Sequence, residues 1–149
     1  MSEIVIRELR DEDIDEVCRM EEESFSMPWH RESFEDMIRN PNALYIVAVE
    51  DGIVCGAAGL LAVVGEGDIC NIVVDKAHRS KGIGSKLVAE LIRLGRRDYG
   101  IGDLTLEVRV SNETAIHMYE KAGFRSEGVR PHFYDEPDED ALIMWLRSQ

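Results

Sequence analysis

Seven consecutive residues, Arg79-Ser80-Lys81-Gly82-Ile83-Gly84-Ser85, lie between an apolar run and a helical pattern and have the makings of an anion site. Glycine lets a backbone approach a ligand closely, and the opening amides of a helix point outward as unpaired donors. With Arg79 and Lys81 beside them, these groups can cradle a pyrophosphate. Two familiar cradles are excluded. A P-loop needs Gly-Lys followed by Ser or Thr after four variable residues, whereas this turn reads Gly82-Ile83-Gly84-Ser85-Lys86. A dinucleotide fingerprint needs a third small residue where Leu87 stands. A glycine-rich helix entry with no ligand is the plain alternative.

Other polar residues stand at suggestive positions. Leu104, Leu106, Val108 and Val110 alternate toward a core, so Thr105, Glu107 and Arg109 share the opposite strand face. By itself Glu107 reads there as a solvated carboxylate. Asn112 is placed to cap a helix, and Tyr119, two turns later, returns to the same face. Its spacing from Ala115 and Ile116 also suits a core tyrosine. Trp29 and Tyr134 read equally as pocket walls or as aromatics that anchor loops. The four histidines and three cysteines show no metal-ligand spacing, so no metal is expected. Cys18, Cys55 and Cys70 sit in apolar surroundings and read as buried, reduced thiols.

The elements that must position these groups follow from periodicity. Ile4 to Leu9 alternate as a first strand; Asp11 can cap a helix carrying Ile14, Val17 and Cys18; Arg31 to Arg39 form a second helix after the Pro28-Trp29 break. Asp51-Gly52 joins the strand runs Ala43–Glu50 and Ile53–Val64 as a hairpin. A strand from Asp68 to Asp75 precedes the glycine turn, and the helix after it carries Leu87, Val88, Leu91, Ile92 and Leu94 as its stripe. Asp103–Val110, a helix from Asn112 to Ala122 closed by Gly123, then Phe124–Arg130 and Ala141–Arg147 complete the chain. The order β-α-α-β-β-β-α-β-α-β-β predicts an α/β (α+β) fold, with about seven strands in a mixed sheet flanked by about four helices.

At 149 residues, without linker or repeat, the chain reads as a single domain spanning residues 1–149. No apolar run reaches the roughly 20 residues that cross a bilayer, and no signal-peptide pattern opens the sequence, so a cytoplasmic protein without membrane contact is expected. A net charge of −13 argues against duplex binding, which needs a basic footprint, and leaves room for a cationic partner.

Asn71-Ile72-Val73-Val74-Asp75 followed by Arg79-x-x-Gly82-x-Gly84 resembles the acetyl-CoA motif of the GNAT acetyltransferases. Leu106-Glu107-Val108-Arg109-Val110-Ser111-Asn112, Ala115-Ile116 and Tyr119-Glu120-Lys121-Ala122-Gly123-Phe124 are similar to that family's C-terminal half. The resemblance covers nearly the whole chain. Together with Pro28-Trp29 and Glu139-Asp140-Ala141-Leu142-Ile143-Met144, it narrows to the RimI type, which acetylates the N-terminal alanine of a ribosomal protein. One departure is Phe133-Tyr134, where that type often has two tyrosines.

The resemblance implies an acetyl-CoA site made by backbone groups of Ile72, Val73 and Val74, by Arg79 through Ser85, and by Asn112. It implies Glu107 as general base, Tyr119 as the acid that protonates the departing thiolate, and Trp29 and Tyr134 as walls for the acceptor peptide. The implied partner is a basic protein N-terminus, that of a ribosomal protein, and no nucleic acid. No cysteine is expected near the site motifs, which favours direct transfer over an acetyl-enzyme. Two rival readings share the motif: acetylation of a small amine such as a polyamine or aminoglycoside, and a non-catalytic acyl-CoA-binding module.

Overall fold

The computed structural model describes residues 3–148. In chain order the elements are β1 (Ile4–Glu8), α1 (Ile14–Ser24), α2 (Arg31–Arg39), β2 (Ala43–Glu50), β3 (Ile53–Val63) and β4 (Glu66–Val74). There follow α3 (Ile83–Asp98), β5 (Asp103–Arg109), α4 (Glu113–Lys121), β6 (Arg125–Tyr134) and β7 (Glu139–Leu146). Single 3₁₀ turns at Asp11–Asp13 and Lys76–His78 precede α1 and α3. All seven strands form one sheet in the order β1-β2-β3-β4-β5-β7-β6. Every neighbouring pair is antiparallel except β4 and β5. The predicted mixed sheet with four helices is therefore observed.

The alternation of apolar residues gives each face of the sheet its own core. On one face Ile46, Leu60, Ile69, Leu104 and Leu106 pack against Leu87, Val88 and Leu91 of α3 and Tyr119 of α4. On the other, Tyr45, Val47, Ala57 and Val73 meet Ile14, Val17 and Met20 of α1 and Phe34 and Met37 of α2. No helix among the described residues is long and apolar enough to cross a membrane.

Three local findings refine the sequence reading. Asp51 and Gly52 both take positive φ (53° and 77°), as a two-residue hairpin turn of the predicted kind requires. The group that organises the start of α1 is Asp13 rather than Asp11. Its carboxylate accepts the Arg10 amide at 2.8 Å and both Arg7 guanidinium nitrogens at 2.7 and 3.0 Å. A reading by helical spacing cannot see that partner, because Arg7 comes from β1. Last, β6 runs to Tyr134, four residues past the predicted Arg130, so Phe133 and Tyr134 end a strand instead of lying in a loop.

One irregularity decides the geometry of the middle of the sheet. Between β3 and β4 the register steps from Leu60↔Ile69 to Gly59↔Asn71, which leaves Cys70 as the extra residue of a β-bulge. Opposite the bulge, Gly59 lies against the Tyr45 ring, and a Cβ there would come within 2.7 Å of Tyr45 Cε2. An aromatic ring wedged between α2 and the sheet cannot step aside. Gly59→Ala is expected to destabilise the fold by about 1–3 kcal/mol, the usual cost of overpacking, read as a lowered urea midpoint with an unchanged slope.

Candidate active site

The two strands that carry the motif residues part company. Parallel pairing of β4 with β5 consists of Glu66↔Asp103, Gly67↔Leu104 and Asp68↔Thr105. Past Asp68, the β5-facing edge of β4 (Cys70 to Val74) and the facing edge of β5 (Leu106 to Arg109) have no ladder partner in each other. A strand edge with free amides and carbonyls is a template for an extended ligand. The predicted backbone contributors Ile72, Val73 and Val74 lie on that edge. Val73 is packed into the α1/α2 core, while Ile72 and Val74 turn toward α3 and α4.

At the open end of this gap the chain turns into α3. Gly82 is its N-cap in the left-handed conformation (φ 79°, ψ 14°), and Ser80 is left-handed as well (φ 67°). α3 is sixteen residues long, so its first amides and its dipole both favour an anion there. Gly84 sits where α4 crosses, and a Cβ would come within 2.8 Å of Met118 Sδ. Ile83 points its side chain into the core and can offer a ligand only backbone; Ser85 is exposed on the first turn. The two predicted cations make exposed intramolecular bonds, Arg79 to Ser24 Oγ (3.0 Å) and the Val74 carbonyl (3.3 Å), Lys81 to Glu50 (3.3 Å). Exposed contacts of this kind are worth little and are easily exchanged for a phosphate.

The remaining predicted residues fall on opposite sides of the gap. On β5, Leu106 and Val108 face the α3 core, so Glu107 projects from the other face, as its alternation required. Tyr134 is placed beside it. Arg109 donates to the carbonyls of Asp135 and Pro137 (2.9 Å each) and to Glu139 (3.2 Å), and its guanidinium stacks 4.5 Å over the Tyr134 ring. Burial, and then the charge of Glu107, push the Tyr134 phenol up to about 12. On the α3/α4 side Tyr119 is 4% exposed and meets Phe124 edge-on at 5.9 Å. Burial holds its phenol well above the usual tyrosine value, with Tyr134 adding to the effect. It is a core residue whose phenol stays neutral. Asn112 caps α4 through Oδ1, which accepts the Ala115 amide at 3.2 Å.

Trp29 stands apart from this group. Its ring packs on Phe34 (5.4 Å) and Tyr45 (6.1 Å), and its amide donates to Glu21 Oε1 at 3.1 Å, so it anchors the segment between α1 and α2. One expectation is corrected. Cys70 lies in β4 two residues before Ile72, not away from the site motifs. Its thiol is pushed up to about 12, chiefly by burial and then by Asp68, which leaves it neutral and a poor nucleophile. Among the described residues no group of His, Cys, Asp or Glu could hold a metal ion.

Three features escaped the sequence reading. Asp68 is the residue at the point of divergence, Arg109 fixes the turn that carries Tyr134, and Glu21 is a carboxyl buried to 1% exposure. The alternation Gly67–Asp68–Ile69 held the signal for Asp68. Nothing local marks Glu21, whose burial depends on β4 and the segment from Phe25 to His30.

A family model for the GNAT acetyltransferases matches residues 14–124, and the chain belongs to that family. Within it, the chain is 32% identical over 144 residues to the ribosomal protein bS18-alanine N-acetyltransferase of Escherichia coli K12, covering 95% of each chain. It is 37% identical over 142 residues to a Bacillus subtilis 168 protein provisionally given the same activity, covering 95% of this chain and 93% of that one. The crystal structure of the ribosomal-protein-S18-alanine N-acetyltransferase from Escherichia coli matches with a TM-score of 0.88 at 30% identity, over 99% of this chain and 96% of that one. The resemblance read from the motifs is borne out.

Glu21 gives the fold a pH signature. Burial, opposed by the Trp29 amide and by Asn71, pushes its carboxyl up to about 7, and its Oε2 has no hydrogen-bond partner. The folded state therefore holds a proton that the unfolded chain releases near its ordinary value of 4.5. That stability is fully present below about pH 4.5 and is lost as pH rises through about 7. Glu21→Gln is expected to remove a decline of roughly 3 kcal/mol between those limits, measured as the difference in urea stability at pH 4.5 and 8 against wild type.

Proposed function

We propose that the protein transfers the acetyl group of acetyl-CoA to the α-amine of a protein N-terminus, most directly the N-terminal alanine of a ribosomal protein, by direct attack in a ternary complex. The observation that carries this reading is the gap between β4 and β5, with Glu107 and Tyr134 on one face and Tyr119 on the other. The similarity to bS18-alanine acetyltransferases supports the choice of acceptor.

In this mechanism the diphosphate of acetyl-CoA lies against the amides at Gly82–Ser85, and the pantetheine arm pairs with the free edge of β4 as an added strand. Backbone amides of the Ile72–Val74 stretch donate to the thioester oxygen and hold the oxyanion of the tetrahedral intermediate. The acceptor amine enters from the face of Glu107, which takes its proton. The nitrogen forms its bond to the carbonyl carbon, the C–S bond breaks, and the thiolate is protonated by Tyr119 from the α3/α4 side. The neutral thiol of Cys70 agrees with transfer that forms no acetyl-enzyme.

The base has a modest task with this acceptor. An α-amine has a reference pKa near 7.7–8.0, so roughly a tenth is neutral at pH 7, whereas a lysine amine near 10.4 lies more than two units further away. The net charge of −13 also favours a basic N-terminus over an acidic one.

The deciding experiment offers acetyl-CoA and a panel of hexapeptides that differ in their first residue, with CoA release and product mass as readouts. A peptide beginning Ala-Arg with further basic residues is expected to be acetylated, and its N-terminally blocked, lysine-bearing counterpart is not. Turnover only of the blocked peptide, or only of a polyamine, overturns the N-terminal reading and keeps the family. Tyr119→Phe is expected to lower kcat by about 10²-fold or more, in the range of general acid catalysis, with acetyl-CoA affinity nearly unchanged. Small and equal effects on both would make Tyr119 a packing residue alone.

A further inference from the structure

β2 ends at Glu50, and the turn that leads into α3 carries Lys81; the two meet, with Lys81 Nζ donating to Glu50 Oε1 at 3.3 Å. The ends of this contact differ in freedom. The Lys81 side chain is 50% exposed on a flexible four-carbon stem, whereas the Glu50 side chain is 12% exposed. Glu50 is also hemmed in. His78, at the end of the 3₁₀ turn, places Nε2 3.6 Å from the same Glu50 oxygen, and its Nδ1 pairs with Asp75 at 2.8 Å. Asp75 is held in turn by Arg19 of α1, which donates to it at 3.0 Å. The carboxylate is therefore fixed in place, and the ammonium can swing.

We infer that Glu50 is a resident competitor for the diphosphate of acetyl-CoA, holding Lys81 whenever the cofactor is absent. The inference rests on the reading of Gly82–Ser85 as the diphosphate site, and it names what limits the strength of binding there. A carboxylate and a phosphate offer Lys81 the same partner, an anionic oxygen. Lys81 directly precedes Gly82, the N-cap of α3, so the cation best placed to neutralise an anion at the α3 amides is the one that Glu50 has taken. Binding must break the Lys81–Glu50 contact, and it leaves the Glu50 carboxylate close to a new negative charge. Both effects weaken the complex. Arg79, by contrast, bonds uncharged groups, Ser24 Oγ and the Val74 carbonyl, and gives up no ion pair to reach a phosphate.

The consequence falls on product release. Acetyl-CoA and CoA carry the same diphosphate, so contacts there bind substrate and product alike and do not speed the chemical step. A carboxylate that reclaims Lys81 lowers the affinity for both and hastens the departure of CoA.

The test is the Kd of CoA, by titration calorimetry, for wild type, Glu50→Gln, Lys81→Gln and the double variant. Glu50→Gln is expected to tighten binding about three- to fivefold, the worth of one half-exposed ion pair. With Lys81→Gln already present the same change should do little, because the cation it frees is gone. Glu50→Asp keeps the charge but draws it back from Lys81, and should give part of the gain. That variant separates the contact from net charge and serves if the glutamine variant folds poorly. Release of CoA, followed by stopped flow, should slow in Glu50→Gln by the same factor, with kcat not raised. The gain should appear also with dephospho-CoA, which lacks the 3′-phosphate and keeps the diphosphate; a gain with CoA alone overturns the assignment to the diphosphate. Weaker binding in Glu50→Gln overturns the inference, since Glu50 would then be positioning Lys81 for the ligand. Unchanged binding overturns it as well, and so does a gain equally large without Lys81. A wild type that binds no CoA refutes the diphosphate site itself, and the inference with it.

Discussion

Three rungs of parallel pairing join β4 to β5, and they end at Asp68↔Thr105. Strands with more rungs would have satisfied each other's amides and carbonyls and closed the middle of the sheet. Ending the ladder early leaves two half-strands whose polar edges must find other partners; Glu107, Tyr119 and Tyr134 stand around that opening, while Trp29 lies apart from it. The bulge at Cys70 belongs to the same arrangement, because an extra residue bends the strand that carries it. Tyr45 and Gly59 hold the bulge from behind, so the packing of α2 on the sheet contributes to the shape of the site.

The two faces of the opening differ in electrical character. Toward α3 and α4 the wall is apolar apart from Tyr119, whose phenol burial keeps protonated. Toward α1 and α2 it carries Asp68, Glu107 and Tyr134, with Arg109 braced against the turn that follows β6. On the proposed reading, the second face would attract a cationic acceptor and the first would offer a proton to the departing thiolate. This asymmetry arises from the period of a strand. Alternate residues of β5 must face opposite ways, so one strand can contribute Leu106 to a core and Glu107 to a site.

Most of the architecture was legible in the sequence because its elements are strongly periodic and sharply punctuated. The stripe of α3, the alternation of β5, Asp51-Gly52 and Gly123 all fall where local rules put them, and the motif around Gly82 and Gly84 marked the anion end of the site. What remained hidden shares one physical trait: it depends on neighbours distant in sequence. Asp13 outranks Asp11 because Arg7 reaches it from β1. Glu21 is buried because the chain near Trp29 folds back over it. The length of the β4–β5 ladder cannot be read from either strand, since both continue to alternate past the point where pairing stops. The position of Cys70 next to Asn71 is plain in the sequence, whereas the bulge it forms was hidden, because a two-residue period carries no record of an inserted residue.

The far edge of the sheet has a consequence for solubility. β6 is an outer strand with its residues from Arg125 to Phe133 exposed, which would ordinarily invite another chain to dock along it. Two register breaks interrupt it, Pro131 has no amide to offer, and the amide of His132 is committed to Asp140 at 3.0 Å. Arg125 and Arg130 add charge along the same margin. The irregular stretch that sets Tyr134 beside Glu107 thus also spoils this margin as a template for fibrous self-association.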